Sequence, residues 1–276
     1  MRSDDSETRD IELALLLEAV YRKYNHDFRQ YSPASLKRRL ALALEAFNCE
    51  SYSELQHWLL HDADALPRLL PYLTVQVSEF FRDPHYFRTI RENIIPHLRT
   101  YPSLKVWVAG CAGGEELYSL VILFREEGLE DRTIFYATDI NRAALSEAQA
   151  GIYTIDRIAL FTQNHRESGG KSSLADYYTT GYGRAKFDKD LRKNVVFSDH
   201  SLVSDSVFAE THLVSCRNVM IYFNRQLQDR VVGLFRESLV RKGFLGLGSR
   251  ETLRFSGHSD AFEEFDRQER IYQKTR

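Results

Sequence analysis

Residues 106–119 read VWVAGCAGGEELYS, and this stretch decides the fold. A short apolar run, typical of a buried strand, enters a glycine-rich turn that opens directly into a helix. Strand, tight turn and helix together form the first crossover of a nucleotide-binding sheet. Glu115 and Glu116, however, stand where the helix N-terminus would receive a phosphate. If this turn binds a ligand, the two glutamates predict that the ligand carries hydroxyls, an amino group or a positive centre.

The same alternation of strands and helices continues outward from this turn. Apolar strand patterns recur at TIFYATD (133–139), THLVSC (211–216) and GFLGLGS (243–249), and helical patterns separate them. We therefore predict an α/β fold with a doubly wound parallel sheet. Residues 152–193 contain Gly-Gly and Tyr-rich segments with little helical period, and we interpret them as a small inserted β element.

The part of the chain before this alternation is helical in pattern. Residues 10–70 contain no glycine and carry leucines at helical spacing, and Ser32-Pro33 is a helix start signal. The predicted domains are an N-terminal helical domain at 1–72, a linker with a connecting helix at 73–100, and the α/β domain with its β insertion at 101–276.

Asp139 adds a second indication about the ligand. It ends the second predicted strand about two dozen residues past the turn, where a carboxylate accepts both hydroxyls of a ribose. NAD sites use the same device, and a helix cap is the plain structural alternative. S-adenosylmethionine has hydroxyls, an amino group and a sulfonium but no phosphate, so it satisfies both the acids and Asp139.

Composition excludes several classes of protein. The chain has 276 residues and a formal net charge of -2, with 37 basic and 39 acidic residues, which does not indicate a general nucleic-acid binder. Three distant cysteines favour a reducing compartment over a disulfide framework. The polar N-terminus and the lack of a long apolar run predict no signal peptide and no membrane insertion, hence a cytoplasmic location. The scattered histidines predict no metal site.

Three segments, in chain order, resemble the CheR-type chemotaxis receptor methyltransferases. TVQVSEFFRD (74–83) is similar to that family's segment ending in Phe-Phe-Arg, and SCRNVMIYF (215–223) is similar to its Cys-Arg-Asn segment. GCAGGEELYS (110–119) resembles its first S-adenosylmethionine motif, with Leu117 where proline is common. YNHDFRQYSPASLKRRL (24–40) resembles its helical domain, so the likeness runs from about residue 12 to residue 274.

The resemblance implies a Rossmann-like S-adenosylmethionine domain with a helical N-terminal domain and an inserted β-subdomain. It implies S-adenosylmethionine as the cofactor and S-adenosylhomocysteine as the product. The cofactor contacts that it implies are Gln76, Ser78, Arg82, Gly110, Glu115, Glu116, Asp139, Ser201, Leu202, Arg217 and Asn218.

The implied reaction is methyl transfer to a glutamate side chain of a chemoreceptor, which gives a methyl ester. A carboxylate is already nucleophilic at neutral pH, so this reaction needs no general base. The implied catalytic residues are Arg82 and Tyr222. Arg82 would orient the incoming carboxylate or contact the cofactor's own carboxylate. Tyr222 would orient the nucleophile or line the methyl channel.

The implied partner is the cytoplasmic helical bundle of a chemoreceptor. Lys37, Arg38 and Arg39 form a basic cluster that would steer an acidic stalk, although a solvated helix face is the alternative. The inserted β element would add a strand to a receptor tethering peptide, as in some relatives. Nucleic acid is not an expected partner.

Three other functions remain open from the sequence alone. The first is a methyltransferase for another protein or a small molecule, because the fold does not fix the substrate. The second is a non-catalytic module that senses S-adenosylmethionine. The third is an NAD-linked oxidoreductase, against which the two glutamates and the missing third glycine both count.

Overall fold

The protein consists of two compact units. The computed structural model describes residues 2–276, with side chains from residue 6 onward. Residues up to 75 together with 222–228 form the first unit, and residues 76–221 with 229–276 form the second. Residue 1 of the predicted 1–72 domain lies outside the described residues. Within the described part of the chain, no helix is both long and apolar enough to cross a membrane.

The first unit is helical and packs through leucine-rich faces. Residues 16, 20, 40, 55, 59 and 69, all leucine or valine, are fully buried in it. Ser51 accepts a hydrogen bond from the backbone N–H of Glu54 (3.2 Å) and so begins the third helix. Four helices from the N-terminal region form this unit: α1 (Arg2–Tyr24), α2 (Pro33–Phe47), α3 (Tyr52–His61) and α4 (Ala65–Leu73).

The second unit is built on a seven-stranded sheet. The helices are α5 (Pro84–Thr89), α6 (Ile95–Leu98), α7 (Glu115–Glu126), α8 (Arg142–Ala150), α9 (Ile158–Glu167) and α10 (Arg225–Ser238), of which α10 begins within 222–228. The strands are β1 (Leu104–Ala109), β2 (Thr133–Asp139), β3 (Ile152–Thr154), β4 (Tyr178–Gly181), β5 (Arg184–Phe187), β6 (Val195–Asp199), β7 (Thr211–Cys216), β8 (Leu239–Leu247), β9 (Phe262–Asp266) and β10 (Ile271–Lys274).

The strand order in the large sheet is β6-β2-β1-β7-β8-β10-β9. Strands β6, β2, β1, β7 and β8 are mutually parallel, which confirms the predicted α/β sheet. The sheet is not parallel throughout, because β10 runs antiparallel to both β8 and β9. A short turn at 267–270 joins β9 to β10 and leaves no room for a crossover helix.

Residues 84–98 belong to the core of the second unit rather than to a linker. Helices α5 and α6 are joined through a π-helical turn at Ile90–Ile94. Tyr86, Phe87, Ile94 and Leu98 are almost fully buried in the same apolar cluster as β1 and α7. The sequence prediction placed this segment in a linker with a connecting helix at 73–100, because TVQVSEFFRD breaks the helical rhythm just before it.

The inserted segment at 152–193 contains the predicted small β element. Strands β3, β5 and β4 form an antiparallel sheet in that order. The segment also contains the ten-residue helix α9, which the sequence analysis missed. Helix α9 buries only Ile158, Phe161, Asn164 and His165, so its apolar stripe is too narrow to give a clear helical period.

Gly246 on β8 provides a test of how closely α5 packs on the sheet. A Cβ atom added at Gly246 would lie 2.0 Å from Oη of Tyr86, whose hydroxyl contacts Ser215 Oγ at 2.8 Å. We expect Gly246→Ala to lower the free energy of unfolding by about 3 kcal/mol through overpacking. Denaturant titration measures this loss.

Gly181→Ala is the matched control, because Gly181 is also a strand glycine and its added Cβ would meet no atom within 4 Å. It should change stability by less than about 0.5 kcal/mol. Adding Tyr86→Phe to Gly246→Ala should restore part of the loss by removing the clashing oxygen. Equal effects of the two alanine substitutions would contradict this packing.

Candidate functional site

The glycine-rich turn connects the end of β1 to the start of α7. The N–H groups of Gly110 and Cys111 both donate to the carbonyl of Thr138 on β2, at 2.8 and 2.9 Å. Gly110 has φ +72°, and an added Cβ would lie 2.6 Å from Cγ2 of Val219. Gly114 has φ +90°, and an added Cβ would lie 2.9 Å from Cβ of Ala148. Both positions therefore require glycine.

Asp139 ends β2 directly beside this turn. One carboxylate oxygen accepts the N–H of Ala112 (3.0 Å), and the other accepts the N–H of Asn141 (2.9 Å). Burial raises the pKa of Asp139, although these backbone hydrogen bonds oppose the rise. The helix cap is a different residue, since Asn141 Oδ1 accepts from the N–H groups of Ala143 and Ala144. Asp139 therefore fixes the turn and has acceptor capacity left for a ligand.

Glu115 begins α7 and is 3% exposed. Its Oε1 accepts from Arg157 Nη1 at 3.0 Å, whereas its buried Oε2 has no hydrogen-bond partner among the described residues. Burial raises the pKa of Glu115, and the charge of Arg157 opposes that rise. A Cβ added at Gly113 would lie 2.9 Å from this Oε2. Glycine at position 113 thus lets the turn pass close to a buried acceptor that lacks a donor.

Glu116 and Arg217 lie close together and form an ion pair with each other. Arg217 Nη1 donates to Glu116 Oε2 (3.2 Å) and Nη2 donates to Asp83 (2.6 Å), while its guanidinium carbon lies 4.1 Å from the centre of the Tyr86 ring. Ser215 Oγ also donates to Glu116, at 2.6 Å. The Arg217 side chain is 1% exposed. This geometry lets the two residues position the end of β7, and their predicted cofactor contacts stay a prediction.

Glu251 is a functional candidate that the sequence reasoning missed. Its carboxylate accepts the backbone N–H groups of Gly248 (2.6 Å), Asn218 (2.9 Å) and Ile221 (3.2 Å). Burial raises the pKa of Glu251, although these hydrogen bonds oppose the rise. Asn218, at φ +60°, is thereby held at the end of β7. The acid in LGLGSRETL, directly after a strand, is the one local signal that points to Glu251.

The segment that contains Gln76, Ser78 and Arg82 is attached through its backbone to α7 and to the inserted segment. Phe81 N–H donates to Ser119 Oγ at 2.8 Å, and Asn164 Nδ2 donates to the carbonyl of Phe80 at 3.1 Å. Arg157 donates to the carbonyl of Ser78. The half-buried Arg82 side chain makes no hydrogen bond or ion pair with any described residue. Its guanidinium is thus available to a ligand.

The inserted segment supports the cofactor turn directly. Tyr153 on β3 donates its hydroxyl to the carbonyl of Gly113 at 2.7 Å. Arg157, just after β3, joins Glu115 to Ser78 and lies 4.9 Å from the centre of the Phe161 ring. The insertion therefore fixes both the glycine turn and the preceding segment.

Ser201 and Leu202 follow β6, beside the end of β2. Ser201 Oγ accepts from the N–H groups of Val203 and Ser204, each at 3.3 Å, so it stabilises the local turn. Leu202 is 7% exposed and supplies an apolar wall. His200 packs edge-on against Trp107, and its Nε2–H donates to the carbonyl of Ser206 at 3.1 Å.

The remaining predicted residues lie in the first unit. Arg39 is buried: its guanidinium donates to the carbonyl of Leu73 (2.5 Å) and lies 5.2 Å from the centre of the Tyr222 ring. Its inclusion in an exposed basic cluster was wrong, because its helix position faces the core. Lys37 is paired with Asp10, and Arg38 is exposed. Tyr222 is half-buried and groups with this unit.

The second unit fits an adenosyl ligand with a positive centre. Asp139 supplies acceptors for ribose hydroxyls, and the orphaned Oε2 of Glu115 suits an ammonium group. The glycines allow close approach of the backbone. Within the described residues, no group of three His, Cys, Asp or Glu side chains is placed to hold a metal ion.

Substitution of Arg157 tests how the negative charge of the buried Glu115 is compensated. Arg157→Met would leave Glu115 without its cation, so we expect a loss of about 2 kcal/mol of stability at neutral pH. The folded-state pKa of Glu115 is raised, and the substitution raises it further. Above that pKa, the unpaired carboxylate of Glu115 destabilises the folded variant. This destabilisation disappears as the pH falls through the pKa and Glu115 becomes protonated. Denaturant titrations at neutral and mildly acidic pH should therefore show the loss shrinking in acid.

Arg166→Met is the matched control, since Arg166 is exposed on α9 and has no ion pair or hydrogen bond through its guanidinium among the described residues. It should leave stability unchanged at every pH. A loss in Arg157→Met that does not vary with pH would show that packing, and not the charge on Glu115, connects the insertion to the turn.

Comparison with known proteins identifies the family. The chain matches the model of the CheR methyltransferase SAM binding domain over residues 76–271, and that of the CheR methyltransferase all-alpha domain over residues 11–74. A Pseudomonas putida protein named as methyltransferase Cher3 is 55% identical over 96% of this chain and 97% of its own length.

Two further relatives are more distant. The chemotaxis protein methyltransferase of Listeria innocua is 29% identical over 85% of this chain and 87% of its own length. An uncharacterized 104.1 kDa protein of Rhodobacter capsulatus is 30% identical over 91% of this chain, which spans 26% of that protein. With both domain models matched in order, the chain belongs to the CheR methyltransferase family, and its second unit is an S-adenosylmethionine-binding domain.

Proposed function

We propose that this protein methylates glutamate side-chain carboxylates on the cytoplasmic helical bundle of chemoreceptors, as an S-adenosylmethionine-dependent O-methyltransferase. The observation that carries the proposal is the pair of buried carboxylates, Glu115 and Asp139, set against a glycine turn in a domain of the CheR methyltransferase family. The name of the Listeria innocua relative, a chemotaxis protein methyltransferase, supports the chemosensory assignment.

The proposed cofactor contacts follow from the hydrogen-bond acceptors of the two buried acids and from the glycines of the turn. Asp139 accepts the ribose hydroxyls, and Glu115 Oε2 accepts from the amino group of the methionyl part. Gly110 and the following turn allow the backbone to approach the ligand. Leu202, Ser201 and Asn218 line the neighbouring strand ends, and Gln76 and Ser78 approach from the preceding segment.

S-adenosylmethionine supplies a methyl group that the glutamate carboxylate receives as an ester. The chain has to align the carboxylate and does not have to deprotonate it, which agrees with a site built from hydrogen-bond acceptors and one free guanidinium. Because charge is neutralised in this reaction, burial of the site favours it.

Arg82 is the proposed catalytic cation. Its guanidinium has no partner among the described residues, so it is able to form a bidentate pair with a carboxylate. That carboxylate is either the incoming glutamate or the cofactor's own, and the two roles predict different losses on substitution. Tyr222 remains the second proposed catalytic residue, on the resemblance of SCRNVMIYF alone.

Receptor contacts are proposed at two places. In the first unit, Arg38 is the exposed cation of the former basic cluster and would meet an acidic stalk, with Lys37 beside it if its pair with Asp10 opens. In the small sheet, β4 is an edge strand and offers a place for an added strand from a tethering peptide.

The direct test uses S-adenosylmethionine with a tritiated methyl group and chemoreceptor-containing membranes. Radioactivity released as volatile methanol after mild base reports glutamate methyl esters. We expect release from the wild-type protein. In Asp139→Asn we expect an affinity for S-adenosylhomocysteine about thirty-fold lower, from the roughly 2 kcal/mol that hydrogen bonds to a charged group contribute.

Arg82→Gln separates the two roles of Arg82. If Arg82 holds the incoming glutamate, kcat/KM should fall about a hundred-fold while S-adenosylhomocysteine still binds. If it holds the cofactor, binding should fall as well. Arg166→Gln, on the surface of α9, is the control and should match the wild type. Transferred radioactivity that is stable to base would reject the glutamate substrate. The absence of methyl transfer by a protein that binds S-adenosylhomocysteine normally would also reject it.

A further inference from the structure

A second cavity lies in the second unit, lined by none of the residues assigned to the cofactor site. It has a volume of about 490 Å³ and is lined by residues 252–255, 259, 262, 264, 267, 270 and 272. Residues 252–255 follow β8, and residues 267–270 form the turn between β9 and β10. Because Ile271 pairs with Gly246 near the end of β8, that turn lies at the carboxyl edge of the parallel strands.

The residues that line this cavity carry a net positive charge. Arg254, Arg267 and Arg270 line it, and none of their guanidinium groups has an ion pair or hydrogen bond with a described residue. Glu264 is the one acid in the lining. Two less exposed arginines of the unit, Arg91 and Arg125, are in contrast paired with glutamates at 2.6–2.8 Å. Like charges around one cavity repel each other, and a bound anion would remove that cost.

A buried hydroxyl in the cavity wall also indicates that the cavity binds a ligand. Tyr272 is 4% exposed, and its Oη is shielded from solvent without a hydrogen-bond partner among the described residues. Buried hydroxyls are rarely left unsatisfied, and the exceptions mark places where a group is missing. Phe255, which is 71% exposed, adds an apolar rim beside the arginines. Cations within an apolar rim suit an acidic polypeptide better than a free inorganic anion.

We propose that this cavity binds carboxylate side chains of the methyl-accepting polypeptide that neighbour the glutamate being methylated. The identity of that polypeptide rests on the proposed function. The cofactor residues follow β1, β2 and β6, and the arginine cavity lies along β8, β10 and β9 at the same edge of the sheet. Arginine forks bind carboxylates in a bidentate manner, so the cavity fixes how the substrate lies along this edge.

The test compares the double variant Arg254→Gln, Arg267→Gln with Arg241→Gln as the matched control. Arg254 and Arg267 are exposed, so the double variant should fold normally. Arg241 is an exposed arginine near the other end of β8, without a partner among the described residues. Fluorescence anisotropy measures binding of a labelled glutamate–alanine peptide, with its glutamine–alanine counterpart, inorganic phosphate and AMP as comparison probes.

We expect the double variant to bind the glutamate peptide about ten-fold more weakly and to raise the KM for chemoreceptor membranes by a similar factor. Its kcat and its affinity for S-adenosylhomocysteine should not change, and the control should match the wild type. The proposal would be overturned if the double variant bound the glutamate peptide within two-fold of the wild-type affinity. It would also be overturned if the wild type bound the glutamine peptide equally well, or if phosphate or AMP alone displaced the glutamate peptide. If the wild type binds the glutamate peptide here but methylates no receptor, the cavity stands and the proposed function fails.

Discussion

The carboxylate of Asp139 accepts backbone hydrogen bonds from Ala112 and Asn141, and the rest of the site depends on this pair of bonds. They join the end of β1 to the end of β2 at the point where the chain turns through Gly110. Their geometry leaves the glycine turn open and directs an acid, instead of free N–H groups, toward the ligand. The same device recurs at Glu251, which holds the backbone after β7. Buried acids that accept backbone N–H groups thus build the carboxyl edge of this sheet.

Under the proposed function, this construction selects the ligand by charge. A glycine turn at a helix N-terminus normally attracts a phosphate, through the helix dipole and the unpaired N–H groups. Here Glu115 is buried at that helix start, with one oxygen paired to Arg157 and the other unpaired among the described residues. A second anion would be repelled, whereas a ligand with a cation and hydroxyls gains from both acids. The inserted segment takes part in this selection, because Arg157 and Tyr153 belong to it.

Local patterns were sufficient to predict the fold and the cofactor, whereas the site residues remain predictions. The apolar run at 106–109, the glycine turn and the acid at the end of β2 are each contiguous signals, and the parallel sheet and the S-adenosylmethionine domain followed from them. The sequence could not predict pairing across long separations. Arg217 meets Glu116 over a separation of about a hundred residues, and Arg39 meets the carbonyl of Leu73, so neither is free in the way its local motif suggested. Glu251 and the short helix α9 lack any strong local pattern.

Calorimetric titration of the wild-type protein with S-adenosylmethionine, S-adenosylhomocysteine and NADH tests the central claim, that buried acids at the glycine turn select a cationic adenosyl ligand over a phosphorylated one. The account predicts saturable binding of both adenosyl compounds and no binding of NADH. It also predicts that Glu115→Gln weakens the binding of S-adenosylmethionine, because the amino group of the ligand loses its charged acceptor. Tight binding of NADH to the wild type, or unchanged affinity for S-adenosylmethionine in Glu115→Gln, would contradict it.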